Sequence, residues 1–251
     1  MDVIFPFGEG RTDEVVFDSV CNAFSVEGSF REFVTVGGKS NFRNQITMTV
    51  QSEVLPNREV GILVFRDFDH GEEHGHVASS FQHIVRDLLS DWALEPETQQ
   101  HPEESNIYIW DQPASDEIPG LKLILHLADN SALSMNLRNQ TTDGYILAVG
   151  LQEQVLERFA RTGRVNSNVA KLQTLIQESI PKVITDQDIQ FDEDKDYLAA
   201  YLCATRFWVV HRTEVQALLA QIILDRATTH AEESMRRVFQ SWRVAIQEMI
   251  S

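Results

Sequence analysis

Val3-Ile-Phe-Pro-Phe-Gly8-Glu-Gly10-Arg-Thr-Asp13-Glu is the stretch of this 251-residue chain whose reading decides the fold. Five apolar residues are followed by a glycine turn, and an apolar-periodic run begins at Val15. That order predicts a buried strand, a tight turn and the first turn of a helix. Gly8 and Gly10 permit backbone angles that a Cβ resists. Thr12 or Asp13 is placed to cap the helix. Glu9 then stands at the carboxyl end of a strand, the edge where open α/β sheets bind ligands. Pro6 removes a ladder donor and argues for an edge strand or a bulge.

A second strand signal, Val60-Gly-Ile-Leu-Val-Phe65, runs directly into Arg66-Asp67-Phe68-Asp69-His70-Gly71. In extended geometry Asp67 and Asp69 point to one side. If the two strands are parallel neighbours, Glu9, Asp67 and Asp69 converge. Three such charges repel, at about 4 kcal/mol per pair for ~4 Å and an effective dielectric near 20. A divalent cation relieves this, and hard oxygen ligands suit Mg2+ or Mn2+ better than zinc.

Glu9-Gly10-x-x-Asp13 after one strand and Asp67-x-Asp69 after another resemble the Toprim signature of bacterial primases, topoisomerases, a ribosomal-RNA maturase and overcoming-lysogenization-defect nucleases. The chain is more closely similar to bacterial Toprim-like proteins with a Gly-Gly-Lys segment between the acidic motifs, here Val36-Gly37-Gly38-Lys39-Ser40-Asn41-Phe42. The resemblance covers roughly residues 1 to 130. It implies a Toprim-like, Rossmann-like α/β fold and a Mg2+-dependent phosphoryl-transfer centre. The residue matching Glu9 would be a general acid/base or ligand, and those matching Asp67 and Asp69 would hold the metal. Lys39, Asp13, Arg66 and His70 are candidates to touch phosphate or substrate. The Gly-Gly-Lys segment lacks the full phosphate-loop spacing, so a turn with a helix cap at Ser40 or Asn41 is the other reading.

The remaining residues fill in the architecture. Helices are expected over 15–24, 41–55 and 77–92, and strands over 33–36, 106–110 and 121–127. Leu121, Leu123, Leu125 and Leu127 share one face, with His126 opposite as a core histidine. Asp111 and Asp129 each leave a strand, as turn residues or further acidic ligands. His70-Gly-Glu-Glu-His74-Gly-His76 matches an inverted zinc-protease pattern, but Gly71 and Gly75 disfavour the helix it needs. A solvated loop, or a loop over the acidic site with a histidine or Glu72 assisting, are the other readings. From Tyr145 the pattern is helical: 145–162, 167–183, 196–208, 213–226 and 231–250. An α/β domain over 1–140 is therefore expected, with an α-helical region over 141–251 packed on it or on a second subunit as a homodimer.

Composition narrows the functional classes. Residues 1–144 carry 9 Lys/Arg against 24 Asp/Glu, so most of the net charge of −17 sits on the motif-bearing half. Such a surface repels phosphate backbones and counts against a broad nucleic-acid binder. The same charge does not support a nucleotide partner either, and it counts less against a metal site, because an ion inverts the local field. Arg236, Arg237 and Arg243 form the best basic strip. Cys21 and Cys203 read as buried thiols, which fits a reducing cytoplasm. No apolar run is long enough for a membrane span. The activity expected is Mg2+-dependent phosphodiester cleavage or phosphoryl transfer. The alternative is a metal- or nucleotide-binding subunit without turnover.

Overall fold

The structure, a computed structural model, describes residues 1–129, 137–160, 168–205 and 215–251. It forms two compact units. One is Met1–Ala128 together with Gln240–Ser251, and the other is Asp129–Phe239.

The first unit is built on a six-stranded sheet. Its strands are β1 (Val3–Gly8), β2 (Val34–Thr35), β3 (Glu59–Arg66), β4 (Gln99–Gln100), β5 (Ile107–Gln112) and β6 (Gly120–Leu127), in the order β2-β1-β3-β6-β5-β4. β2, β1, β3 and β6 pair in parallel, whereas β5 pairs antiparallel with both β6 and β4. β1 and β6 are buried along their whole length and β3 over Val60–Phe65. Continuous apolar runs are what a sheet covered on both faces requires.

The covering helices are α1 (Arg11–Phe24), α2 (Phe42–Val50) and α3 (His74–Leu88), and, from the far end of the chain, α11 (Gln240–Ile250). Val3, Phe5, Phe7, Val60, Ile62, Val64 and the four leucines of β6 pack with Phe42 and Ile46 of α2 and Phe81 and Val85 of α3. The opposite face carries α1 and α11. There Phe65 stacks on Trp242 at 3.8 Å and 7°, and Phe17 of α1 meets Phe65 at 5.9 Å.

α11 is held by more than its apolar stripe of Trp242, Ala245, Ile246 and Met249. Buried Lys122 donates to the Glu248 carbonyl at 2.6 Å and its carboxylate at 2.9 Å. His126 Nε2 lies 2.9 Å from Ser241 Oγ. Burial lowers the His126 pKa to about 3, so the ring is neutral, as expected for a core histidine. A Cβ on Gly61 would meet Met249 Sδ at 2.6 Å, so the helix docks against bare backbone.

The second unit is helical: α4 (Thr142–Gly150), α5 (Glu153–Ala160), α6 (Val169–Thr174) running through a π-turn into α7 (Ile180–Thr185), α8 (Asp194–Thr205), α9 (Val215–His230) and α10 (Glu232–Val238). α4 is apolar on nearly every side, as suits a helix within a bundle. Thr141 caps it, accepting from the Asp143 N–H, and donates its own hydroxyl to the fully buried Asp194 at 2.6 Å. Tyr145 stacks on Phe239 at 5.5 Å.

Several expectations change here. The boundary placed at residue 140 falls at Ala128, and the helix expected over 231–250 breaks at Phe239, so its second half joins the sheet. Arg236 and Arg237 therefore lie in one unit and Arg243 in the other. Residues 161–162, 167, 206–208 and 213–214 of the expected helices lie outside the described residues. Pro6 sits inside an interior strand, not an edge. Ile4 and Gly8 turn their backbone bonds to the β2 side, through Ser29, Arg31 and Val36. Pro6 faces the same way between them, where β2 has not yet begun, so its missing N–H breaks no ladder bond. Cys203 is exposed and Cys21 half-buried, its thiol pushed up to about 12 by burial. Among the described residues, no helix is long and apolar enough to cross a membrane.

Trp242→Ala is expected to lower the stability of the first unit by roughly 3–5 kcal/mol, the range for deleting a buried aromatic. Urea unfolding followed by far-UV circular dichroism measures it.

Candidate functional site

Strand order places a topological switch between β1 and β3. The chain leaves β1 through α1 toward β2 on one side, then returns through α2 to β3 on the other. Ligands of open α/β sheets bind outside the carboxyl ends at such a point, and Glu9 and Asp67 emerge there. β1 and β3 run in register from Val3↔Val60 to Phe7↔Val64, so their exits are level. The result is a direct contact: the Asp67 backbone N–H donates to Glu9 Oε1 at 3.1 Å.

The turn that carries Glu9 is tightly built. A Cβ on Gly8 would lie 2.6 Å from Asp13 Cβ and 2.7 Å from the Phe33 ring. Asp13 is buried, and its carboxylate accepts the Gly10 N–H at 2.9 Å, satisfying the first turn of α1. It orients the turn and is not placed as a substrate contact. Backbone bonds from Val36 to Gly8 and from Gly37 to Glu9 dock the Gly-Gly-Lys segment against this turn. Gly37 and Gly38 take φ of 72° and 123°, which a side chain resists. Asn41 reaches back to the Val36 and Gly37 carbonyls at 3.0 and 3.3 Å.

That docking brings Lys39 into the site. Its ammonium lies 2.5 Å from Asp69 Oδ2 and 3.8 Å from Glu72 Oε2. The nitrogen is buried and makes no well-aligned hydrogen bond. Proximity makes these contacts ionic, while the ammonium's donors remain open to a better-placed oxygen.

Arg66 behaves differently. Its side chain is only 10% exposed. It bonds both oxygens of Glu72, at 2.6 and 3.0 Å, and the Asp67 carbonyl at 3.0 Å. The guanidinium is spent on holding the loop, so Arg66 is a positioning residue, not a phosphate contact. His70 is exposed in the turn. His74 opens α3 with its ring edge-on to Phe68 at 4.4 Å, and His76 is exposed. The histidines do not converge on a zinc site.

Glu72 is the residue that the sequence underrated. Gly71, at φ 85°, turns the chain so that the Glu72 N–H reaches the Asp69 carbonyl while the Asp69 N–H reaches Glu72 Oε2 at 2.8 Å. The signal was an acid three residues after Asp69 with a glycine between.

The residues expected to hold magnesium or manganese, Glu9, Asp67 and Asp69, lie at this edge and on the loop that follows β3. Among the described residues, no group of three or more His, Cys, Asp or Glu is arranged to hold a metal ion. Asp69 is held by Lys39 and Glu9 by the Asp67 amide. Asp111 is removed as a further ligand, because β5 is antiparallel. Its register partner, Lys122, lies near the start of β6, so Asp111 sits toward the opposite edge. Asp129 begins the second unit, its N–H bonded to the Tyr145 hydroxyl at 2.9 Å.

Two carboxyls are strongly perturbed, in opposite directions. Burial raises Glu9 to about 7. Lys39, the Asp67 N–H and Arg66 oppose the rise, and Asp13 adds to it. Burial alone would raise Glu72 too. Hydrogen bonds from Arg66 and the Asp69 N–H, with the charges of Arg66 and Lys39, outweigh it and hold Glu72 down to about 2. Carboxyls that share the neighbours Lys39 and Arg66 and are pushed apart in this way are a common arrangement at sites of proton transfer.

No protein-family model and no curated protein match the sequence. Among solved structures, the chain is similar to the crystal structure of a hypothetical protein from Pyrococcus horikoshii OT3. The match spans 100% of both chains at 12% identity, with a TM-score of 0.59. At that identity the likeness speaks for the fold alone.

Glu9 makes stability depend on pH. Because its pKa is raised on folding, its contribution is fully present below about 4.5 and is lost as pH rises through about 7. Glu9→Gln keeps an acceptor for the Asp67 N–H but has no charge to bury. The variant is expected to match wild type near pH 4 and to exceed it above pH 7 by up to about 3 kcal/mol, less where solvent screens the charge. Denaturant titrations at the two pH values measure the difference.

Proposed function

We propose that the carboxyl edge of β1 and β3 acts on a phosphate ester, cleaving a phosphodiester or transferring a phosphoryl group. The observation that carries this reading is the Glu9 carboxyl, seated against the Asp67 amide at the switch point with the Lys39 ammonium beside the same loop. Glu9 would take the proton from the attacking water or hydroxyl. Lys39, exchanging its ionic contact with Asp69 for a phosphate oxygen, would offset the charge that develops there. Asp67 and Asp69 fix the two ends of this pairing, and Arg66 with Glu72 holds the loop that bears them. The proton and charge steps are assigned here to these side chains.

The experiment is a cleavage assay of the full chain on single- and double-stranded DNA, on RNA and on bis-p-nitrophenyl phosphate, with Mg2+, with Mn2+ and with a chelator. Wild type is expected to turn over at least one of these. Glu9→Gln is expected to lose 10²-fold or more, the usual contribution of a general acid or base, while its circular dichroism is unchanged. Equal rates for the two proteins would reject the role of Glu9.

One observation weighs against turnover and favours a second reading, a metal- or nucleotide-binding subunit without it. The site's cations are already matched by carboxylates, and the surrounding half of the chain is strongly acidic. Calorimetric binding of a nucleotide, with no cleavage of any substrate above, would select it.

A further inference from the structure

The second unit contains a cationic cluster that the acidic site does not use. α5 and α9 pack side by side. Phe159 of α5 is buried, and the Arg226 guanidinium of α9 lies over its ring, with Cζ 3.8 Å from the centroid. Tyr201 braces the same ring edge-on at 5.4 Å, and its hydroxyl is committed to the Gly150 carbonyl at 3.0 Å.

The guanidinium is thus fixed in place, but its Nη1 is buried with no hydrogen-bond partner. A buried donor without an acceptor destabilises a fold. Asp225, its neighbour in sequence, does not serve: its carboxylate takes the Gln221 amide at 2.8 Å. His230 lies one turn beyond Arg226 on the same face of α9. Arg158, next to Phe159 on α5, approaches His230 Nδ1 with Nη2 at 3.3 Å. With Nδ1 facing the Arg158 donor, Nε2–H is the donor the ring has left. Arg158 and His230 are exposed, so the cluster opens to solvent.

Two guanidinium groups and an imidazole therefore gather on one surface of a protein with net charge −17. Like charges held together, one with a buried open donor, call for an anion. The carbonyl end of α9 favours cations, but that field supplies no acceptor for Nη1. Two planar forks and a third N–H exceed what one carboxylate can accept, and match the several oxygens of a phosphate.

We propose that Arg226, Arg158 and His230 form a binding site for the phosphate group of a small molecule, separate from the Glu9 site. The test is calorimetry on the full chain with inorganic phosphate, phenyl phosphate and acetate, against chloride at equal ionic strength. Saturable binding of a phosphate species, but not acetate, is expected. Arg158→Gln, a surface change, is expected to weaken it at least fivefold, and Arg226→Lys, which keeps the charge and loses the fork, by at least as much. Lys182→Ala, an exposed change elsewhere in the same unit, is expected to leave it unchanged. Tighter binding of phenyl phosphate would identify a phosphomonoester as the ligand, and the reverse would identify free phosphate. Acetate binding as tightly as phosphate, no binding above the chloride control, or affinity unchanged in Arg158→Gln would each overturn the proposal. The last outcome would place the anion away from this cluster.

Discussion

The register between β1 and β3 is the constraint on which the candidate site depends. Five residue pairs in parallel, ending at Phe7↔Val64, bring the two strand exits to one level. Only then can the Asp67 amide reach the Glu9 carboxyl across 58 positions of sequence. A slip of one residue would move every apolar side chain of a strand to the wrong face. The hydrophobic layers on the two sides of the sheet therefore hold the site geometry in place as well as the fold.

Charge at this edge is balanced by side chains of the protein itself. Lys39 faces Asp69 and Glu72, while Arg66 grips Glu72 with both arms. The outcome is an ordered network in which Glu72 stays ionised far below the ordinary range and Glu9 is held near neutrality. Burial separates the two: Glu9 lies under the turn with weak compensation, whereas Glu72 has an arginine and a backbone amide directly on its oxygens. Glu72, read in the sequence only as an assisting loop residue, thus sets the position of Lys39, Arg66 and Asp69.

The first unit is discontinuous in sequence. Its last helix arrives after the whole helical unit, and completes the sheet's second face through the Phe65–Trp242 stack and the buried Lys122–Glu248 contact. Lys122 carries its charge into an apolar layer because the carbonyl and carboxylate of Glu248 meet it there. An ammonium so placed specifies one docking position of α11, since any other would leave it unpaired.

The sequence by itself determined the α/β class, the strand cores at 3–7, 60–65 and 121–127, and the acids that flank them. Buried parallel strands must be continuous apolar runs, and the residues just past them are confined to one edge. It also showed that Trp242, Ile246 and Met249 bury a face, because helical periodicity is local. It did not show which surface that face would meet, or that β5 runs antiparallel and carries Asp111 away. Those depend on pairings between distant segments. The partners of Lys39, Arg66 and Arg226 were out of reach for the same reason: which oxygen or ring a long side chain meets is decided only once separate strands and helices are packed together. Tertiary structure alone brought Lys39 onto Asp69 and the Asp67 amide onto Glu9, because both contacts cross the folded edge between distant segments.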